Sequence, residues 1–210
     1  FQVWPDRPNN ADDSFEWILP LKKALWHSRN IPSAKMITAL WWETVAKPFL
    51  QKLWLKWISD NIEYGYTLAL WAGEVTMLEL ANAYAHLSAQ WSPAVINPIL
   101  EIRAKDWSLI YQKTWEVLQD PVVKPWITYL LRKVLSDPSN RLTAWISKFN
   151  VPWLTFALKT WTSNVKTDKW NRPRDWRLAA YTPSKVALFR AWNADASPMN
   201  KNAFWWTIHA

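Results

Sequence analysis

The stretch Tyr64-Gly65-Tyr66-Thr67-Leu68-Ala69-Leu70-Trp71-Ala72-Gly73-Glu74-Val75-Thr76-Met77-Leu78-Glu79-Leu80-Ala81-Asn82-Ala83-Tyr84 carries the clearest local signal in the chain. Within it, Thr76-Met77-Leu78-Glu79 is a capping box. A threonine at the N-cap and a glutamate three residues later can each satisfy a backbone N–H that the first helical turn leaves open. The spacing predicts a helix from here to about residue 89. Toward the N-terminus, Leu21, Ala24, Leu25 and Ser28 have helical spacing, and Asn30-Ile31-Pro32 should end that helix. A second helix is expected over residues 32–40, with Pro32 in its first turn. A third should start near Thr44 and bury Val45, Phe49, Leu50 and Leu53, with Pro48 near its first turn. Residues 1–17 are polar and rich in Pro and Asn, and read as loop.

On the C-terminal side, residues 94–113 read as a hairpin whose turn holds Lys105-Asp106-Trp107-Ser108. Ile127, Leu130, Leu131, Val134 and Leu135 mark an amphipathic helix that Asp137-Pro138 stops. From Leu154 the pattern becomes strand-like, over residues 154–162, 178–181 and 186–191. Pro183-Ser184 makes a short turn, so the last two strands should pair antiparallel. Helices first and a mostly antiparallel sheet afterwards predict one mixed α/β (α+β) domain over residues 1–210, without internal repeats.

Composition narrows the classes. The chain has 210 residues, half of them apolar, with 14 Pro and no Cys. Disorder, collagen and coiled coil are excluded. So are a disulfide framework, a cysteine zinc site and a thiol nucleophile. There is no run of about 18 uncharged apolar residues that could span a membrane. Phe1 is not an initiator, and no leader-like stretch precedes it, so the chain is expected to be a piece of a longer protein. The net charge of +8 suits an anionic ligand or surface. Lys22-Lys23, Arg172 and Arg174 are too scattered for a nucleic-acid groove. His27, His86 and His209 have no metal-ligand spacing, and the pair Asp12-Asp13 reads as solvated loop.

The chain has 2 Gly and 20 Trp. Ordinary glycine usage is about 7%. Tryptophans stand where glycine geometry is needed. Trp107 follows Asp106 where Asp-Gly would make a two-residue hairpin turn with φ > 0 at both central residues. Trp41, Trp54 and Trp91 each follow a helical pattern, at the position where glycine turns left-handed. A bulky residue at φ > 0 is an outlier. Most of these tryptophans are therefore expected to stand for glycines, as they would if UGA codons read as glycine in the source had been written as Trp. That reading brings glycine to about 10%, an ordinary share. The alternative takes the tryptophans literally, as stacking platforms of a sugar or membrane-interface binder.

Three segments then speak together. With Trp71 read as glycine, residues 64–84 strongly resemble the transpeptidase domain of class A penicillin-binding proteins. Ser28-Arg29-Asn30 is similar to that family's S-x-N motif, and Lys159-Thr160-Trp161-Thr162-Ser163 becomes K-T-G-T-S on the same correction. Arg174-Asp175, Tyr181-Thr182-Pro183, Trp192-Asn193 and Trp205-Trp206 look like the family's later strands and its Gly-Gly stretch. The resemblance implies a penicillin-binding transpeptidase or serine β-lactamase-like fold, an antiparallel sheet flanked by helices. It implies a D,D-transpeptidase that cleaves the terminal D-Ala-D-Ala bond of a peptidoglycan stem peptide and transfers the acyl group to another peptide's amine. β-Lactams are the implied inhibitors, and no metal or organic cofactor and no nucleic acid is implied.

By the same resemblance, Ser28 is a proton relay to the leaving amine and Asn30 orients the substrate. On pattern alone, Ser28 ends a helix and Asn30 caps the next. Lys159, Thr160, Trp161, Thr162 and Ser163 form the implied substrate-binding strand. Lys159 supplies the field and Thr162 a hydroxyl for the substrate carboxylate. Strand alternation puts Lys159, Trp161 and Ser163 on one side and Thr160 and Thr162 on the other. A backbone N–H after the glycine would help form the oxyanion hole, and a literal indole at 161 would push into the cleft. The nucleophile in this family is the serine of an S-x-x-K motif, which should precede Phe1. Ser163-Asn164-Val165-Lys166 matches that pattern in the wrong place and is expected to be a decoy. The parent protein is expected to carry a membrane anchor and a glycosyltransferase domain, with the site outside the cytoplasmic membrane. Alternatives are a D,D-carboxypeptidase or β-lactamase-like relative and a non-catalytic peptidoglycan-binding domain. Arg177 and Ala180, where the family usually has an aromatic residue and a glycine, leave room for the last.

Overall fold

The computed structural model describes residues 8–10, 13–40, 43–70, 72–88, 96–114, 121–141, 149–166 and 171–200. Trp41, Trp71, Trp91, His209 and the Trp205-Trp206 pair lie outside them. The helices are α1 (Leu21–Trp26), α2 (Asn30–Ala39), α3 (Glu43–Lys52), α4 (Met77–Ser88) and α5 (Pro125–Ser136). Strands β1 (Glu101–Arg103) and β2 (Leu109–Gln112) form an antiparallel hairpin. Strands β3 (Ala157–Lys166), β4 (Asn171–Tyr181) and β5 (Val186–Trp192) form an antiparallel sheet in the order β3-β4-β5. The expected mixed α/β class and the antiparallel pairing across Pro183-Ser184 are both present.

Helix α4 starts as its sequence dictates. The Thr76 N–H donates to Glu79 Oε2 at 3.0 Å, and the Glu79 N–H donates to Thr76 Oγ1 at 3.1 Å. The helix is the wall between two apolar clusters. On one side Leu80 and Tyr84 join Trp26, Leu135, Ala157, Leu158, Ala179 and Tyr181, which closes α1, α4 and α5 onto the sheet. On the other, Ala83 joins Ile37, Leu53, Leu55, Ile58, Leu68 and Val123. Each large side chain so buried contributes about 1.5–3 kcal/mol. A hydrogen bond from Ser88 Oγ to the Thr182 carbonyl holds the end of α4 against the β4–β5 turn. Among the described residues no helix is long and apolar enough to cross a membrane.

Several local expectations are corrected. Helix α2 begins at Asn30, two residues before the expected Pro32, because Pro32 fits inside a first turn whose N–H groups have no helical partner. Pro48 lies inside α3 and not near its start. Leu53 is buried, but Val45 and Phe49 of α3 are 54% and 43% exposed. The buried member of that turn is Lys47, whose ammonium donates to the Ile62 carbonyl. Strand β4 begins seven residues before the apolar run that announced it, and β3 continues to Lys166.

Two of the suspected tryptophans do occupy left-handed backbone, Trp54 at φ 69° and Trp107 at φ 67°. At the end of α3 the Leu55 N–H donates to the Leu50 carbonyl (3.2 Å) and the Trp54 N–H to the Gln51 carbonyl (2.9 Å). This is the Schellman pattern, which puts Trp54 at the glycine position. The hairpin differs from expectation in detail. The Trp107 N–H donates to the Ala104 carbonyl and the Ala104 N–H to the Ser108 carbonyl, both at 2.9 Å. That is a three-residue turn ending in one left-handed residue, Trp107, and not a two-residue turn with two.

Candidate active site

Ser28 sits where α1 ends. The Arg29 N–H donates to the Ala24 carbonyl (3.0 Å) and the Ser28 N–H to the Leu25 carbonyl (3.3 Å), again a Schellman pattern. Ser28 takes its left-handed position at φ 55°. A non-glycine residue held there is strained, and such strain gathers at functional sites. His27 fixes the turn from behind, its Nε2–H donating to the Asn140 carbonyl at 3.1 Å. Burial lowers the His27 pKa, so the imidazole is biased toward its neutral form.

Ser28 meets β3 directly. The Lys159 ammonium donates to Ser28 Oγ, and Ser28 Oγ–H donates to the Thr160 carbonyl at 3.3 Å. The two partners are 131 residues apart in the chain. Burial pulls the Lys159 ammonium down to about 8. At neutral pH it still carries its charge, but it is poised to lose a proton. Lys159 and Ser28 thus make a short relay of donor, hydroxyl and carbonyl.

The other predicted residues are placed as follows. Asn30 opens α2, and its Nδ2 donates to the Asn9 carbonyl at 2.9 Å. It is not the N-cap, a position that Arg29 fills. The Thr160 side chain is buried and Thr162 is exposed, on the opposite face from Lys159, as alternation requires. Trp161 does not push out as expected. Its ring stacks on Tyr84 of α4, centroids 6.2 Å apart and planes 10° from parallel. The cause is register: the face that carries Lys159 and Trp161 packs toward α4. The Ser163 hydroxyl donates to Asp175 Oδ1 from the middle of β3. Ser163 and Lys166 both lie on β3, where three residues span about 10 Å along the strand axis.

Sequence reading missed what surrounds these residues. Arg29 forms an ion pair with Glu16 and donates to Ser14 Oγ at 3.2 Å, tying residues 14–16 to the S-x-N turn. Asp175 is 1% exposed and takes Arg177 (Nη2, 2.9 Å) and Arg190 (Nε, 2.9 Å) on Oδ2. Burial alone would raise its pKa; the Ser163 hydroxyl and the two guanidiniums hold it below the usual carboxylate range. The only sequence signal was a carboxylate at period two from an arginine in a strand. Among the described residues no group of three or more His, Cys, Asp or Glu could hold a metal ion.

Solved structures share this arrangement of helices and sheet. Penicillin-binding protein 1A from Haemophilus influenzae superposes with a TM-score of 0.77 over 97% of this chain, at 16% identity. The fold is that of the penicillin-binding proteins. The penicillin-binding protein PonA1 from Mycobacterium tuberculosis superposes with a TM-score of 0.73 over 96% of the chain at 14% identity, and it has also been solved with penicillin V. In sequence, the penicillin-binding protein 1A of Pseudomonas aeruginosa is 31% identical over 114 residues, 53% of this chain. No family model matches the chain. The chain spans only part of these penicillin-binding proteins: 35% of the Haemophilus chain, 55% of PonA1, and in the matched stretch 13% of the Pseudomonas protein. The resemblance read from three motifs is thus also a resemblance in structure, over nearly the whole chain.

Proposed function

We propose that this chain is the C-terminal part of a peptidoglycan D,D-transpeptidase domain, whose nucleophilic serine lies upstream of Phe1. The observation that carries the reading is the contact of Lys159 with Ser28, which joins the second and third motifs into one site. The upstream serine attacks the carbonyl carbon of the penultimate D-alanine. As the C–N bond breaks, Ser28 passes its proton to the leaving amine and is reprotonated by the proton that the attacking serine gives up, so Lys159 keeps its charge. A second peptide's amine then attacks the acyl carbon, and its proton returns to the serine oxygen as that oxygen leaves. The Thr162 hydroxyl donates to the substrate carboxylate, a charge-assisted bond of the strong kind, and Lys159, on the other face of β3, supplies the positive field. Asn30 orients the peptide, and a backbone N–H beyond position 161 serves the oxyanion, a contribution of about 2.7–4 kcal/mol.

The reading includes glycine at position 161 of the natural protein. The indole now lies over Tyr84 on the face that bears Lys159. Its removal opens a slot beside the relay for the substrate backbone. Residues 1–210 form one partial domain of a parent protein anchored in the membrane, with the site on its outer face.

Covalent labelling by a fluorescent penicillin tests this on the full-length gene product decoded as in its own cell. Labelling is expected at neutral pH. It should fall as pH rises through about 8, because Lys159 then loses its charge. Lys159→Ala should slow it about ten- to hundredfold, the worth of a hydrogen bond to a charged group. A gene product that takes no label, or Lys159→Ala that labels at the parent rate, contradicts the reading.

A further inference from the structure

We infer that His27 is a positioning residue that ties the Ser28 turn to the end of α5, and that the tie opens when the imidazole takes up a proton, so that acid turns the site down. The inference rests on the transpeptidase reading and adds a regulation of that same site. His27 caps α1 and immediately precedes Ser28. Its Nε2 meets the Asn140 carbonyl at 3.1 Å, across 113 residues of chain. A carbonyl only accepts, so Nε2 carries the proton, and in the neutral ring Nδ1 does not. The far end of the tie is fixed. Asn140 is 1% exposed, its Nδ2 donates to the Val134 carbonyl (2.9 Å) and its N–H to the Asp137 carbonyl (3.2 Å). Asp137 Oδ1 in turn takes the Ser139 N–H at 2.8 Å. On the other side, Ser28 itself reaches Lys159 and the Thr160 carbonyl on β3. The turn is thus held between two bodies, and α1, with six residues, is too short to hold its last turn alone.

The tie suits only the neutral ring. Nδ1 is buried and makes no hydrogen bond among the described residues. The buried Asn140 Oδ1 makes none either, so it does not reach Nδ1. A second proton on His27 would therefore be a buried cationic donor without an acceptor, which is costly. Burial is the largest influence on the ring and disfavours the cation; Glu16 favours it, and Arg29 and Lys23 oppose it. On the anchor side, Asp137 and Arg141 act on each other, and Lys22 acts on Asp137. With the tie open, the imidazole reaches water and titrates near its ordinary 6.5; in the closed turn it titrates lower. The closed turn is therefore fully favoured above that value and loses ground as pH falls below it.

The test follows the rate at which a fluorescent penicillin acylates the full-length gene product, from neutral pH down to about pH 5, where the ordinary histidine is charged. The parent's rate should fall on the acid side. His27→Ala should slow acylation about fivefold at neutral pH, the worth of one hydrogen bond, and abolish the acid fall. His27→Gln, whose amide can donate to the same carbonyl but does not titrate, should recover most of the neutral rate and stay level in acid. A merely structural role would lower the unfolding midpoint or the fraction labelled at the end point and leave the acid fall in place. A parent without an acid fall, or His27→Gln with the parent's acid fall, overturns the inference while leaving the transpeptidase reading intact, because labelling persists. If the parent takes no label at any pH, the functional reading falls and this inference with it. Should His27→Ala fail to fold, the pH profile of His27→Gln still decides.

Discussion

Trp107 and Ser28 both sit at positive φ, and their surroundings differ. Ser28 has the Lys159 ammonium on its hydroxyl and donates that hydroxyl to the Thr160 carbonyl, two bonds that anchor its left-handed geometry. The Trp107 indole is 78% exposed at a hairpin tip. The left-handed conformation costs a residue with a Cβ roughly 1–2 kcal/mol, and glycine loses some of that back in chain entropy. Trp107→Gly should therefore stabilise the protein by about 0.5–1 kcal/mol, seen as a higher midpoint in urea unfolding. An unchanged or lower midpoint would mean that the indole has a role there. Trp54 is a less clean case, because Lys56 lies 4.6 Å from its ring.

At the scale of elements, what could be read was what is local. The capping box of α4 needs only Thr76 and Glu79, and both bonds form. Thr76→Ala should cost about 1 kcal/mol, the usual worth of an N-cap, measurable by thermal unfolding. Glu79 also accepts the Lys56 N–H at 3.0 Å, so Glu79→Ala should cost more than Thr76→Ala. What could not be read depends on distant partners. The start of β4 was invisible because Asp175 is polar yet buried, and residues 163 and 190 are what make its burial tolerable. The exposure of Val45 and Phe49 was equally hidden, since helical spacing tells which residues share a face but not whether another element covers it. The turn at Trp107 was legible as a site needing positive φ, while its loop length was fixed by the ladder across it.

For the whole molecule, no periodicity joins Ser28 to Lys159 across 131 residues. The order of three motifs anticipated the contact, because family resemblance carries tertiary information that spacing lacks. The tryptophans also make sense only at this scale. Trp17, Trp107 and Trp153 are 89%, 78% and 86% exposed, and they stand on a loop, a hairpin tip and a turn far apart in the chain. An aromatic binding platform needs its rings gathered, and a core needs them inside. Neither describes these three positions, where glycine would suit the loop, the tip and the turn, whereas Trp26 and Trp176 are buried in the core. Lys159 and Lys166 bracket a tryptic peptide, residues 160–166, that spans position 161. Its mass in protein taken from the source organism should be lower than the written sequence by the difference between an indolylmethyl group and a hydrogen atom. The full mass with an intact indole would contradict the account at the residue on which the proposed site depends.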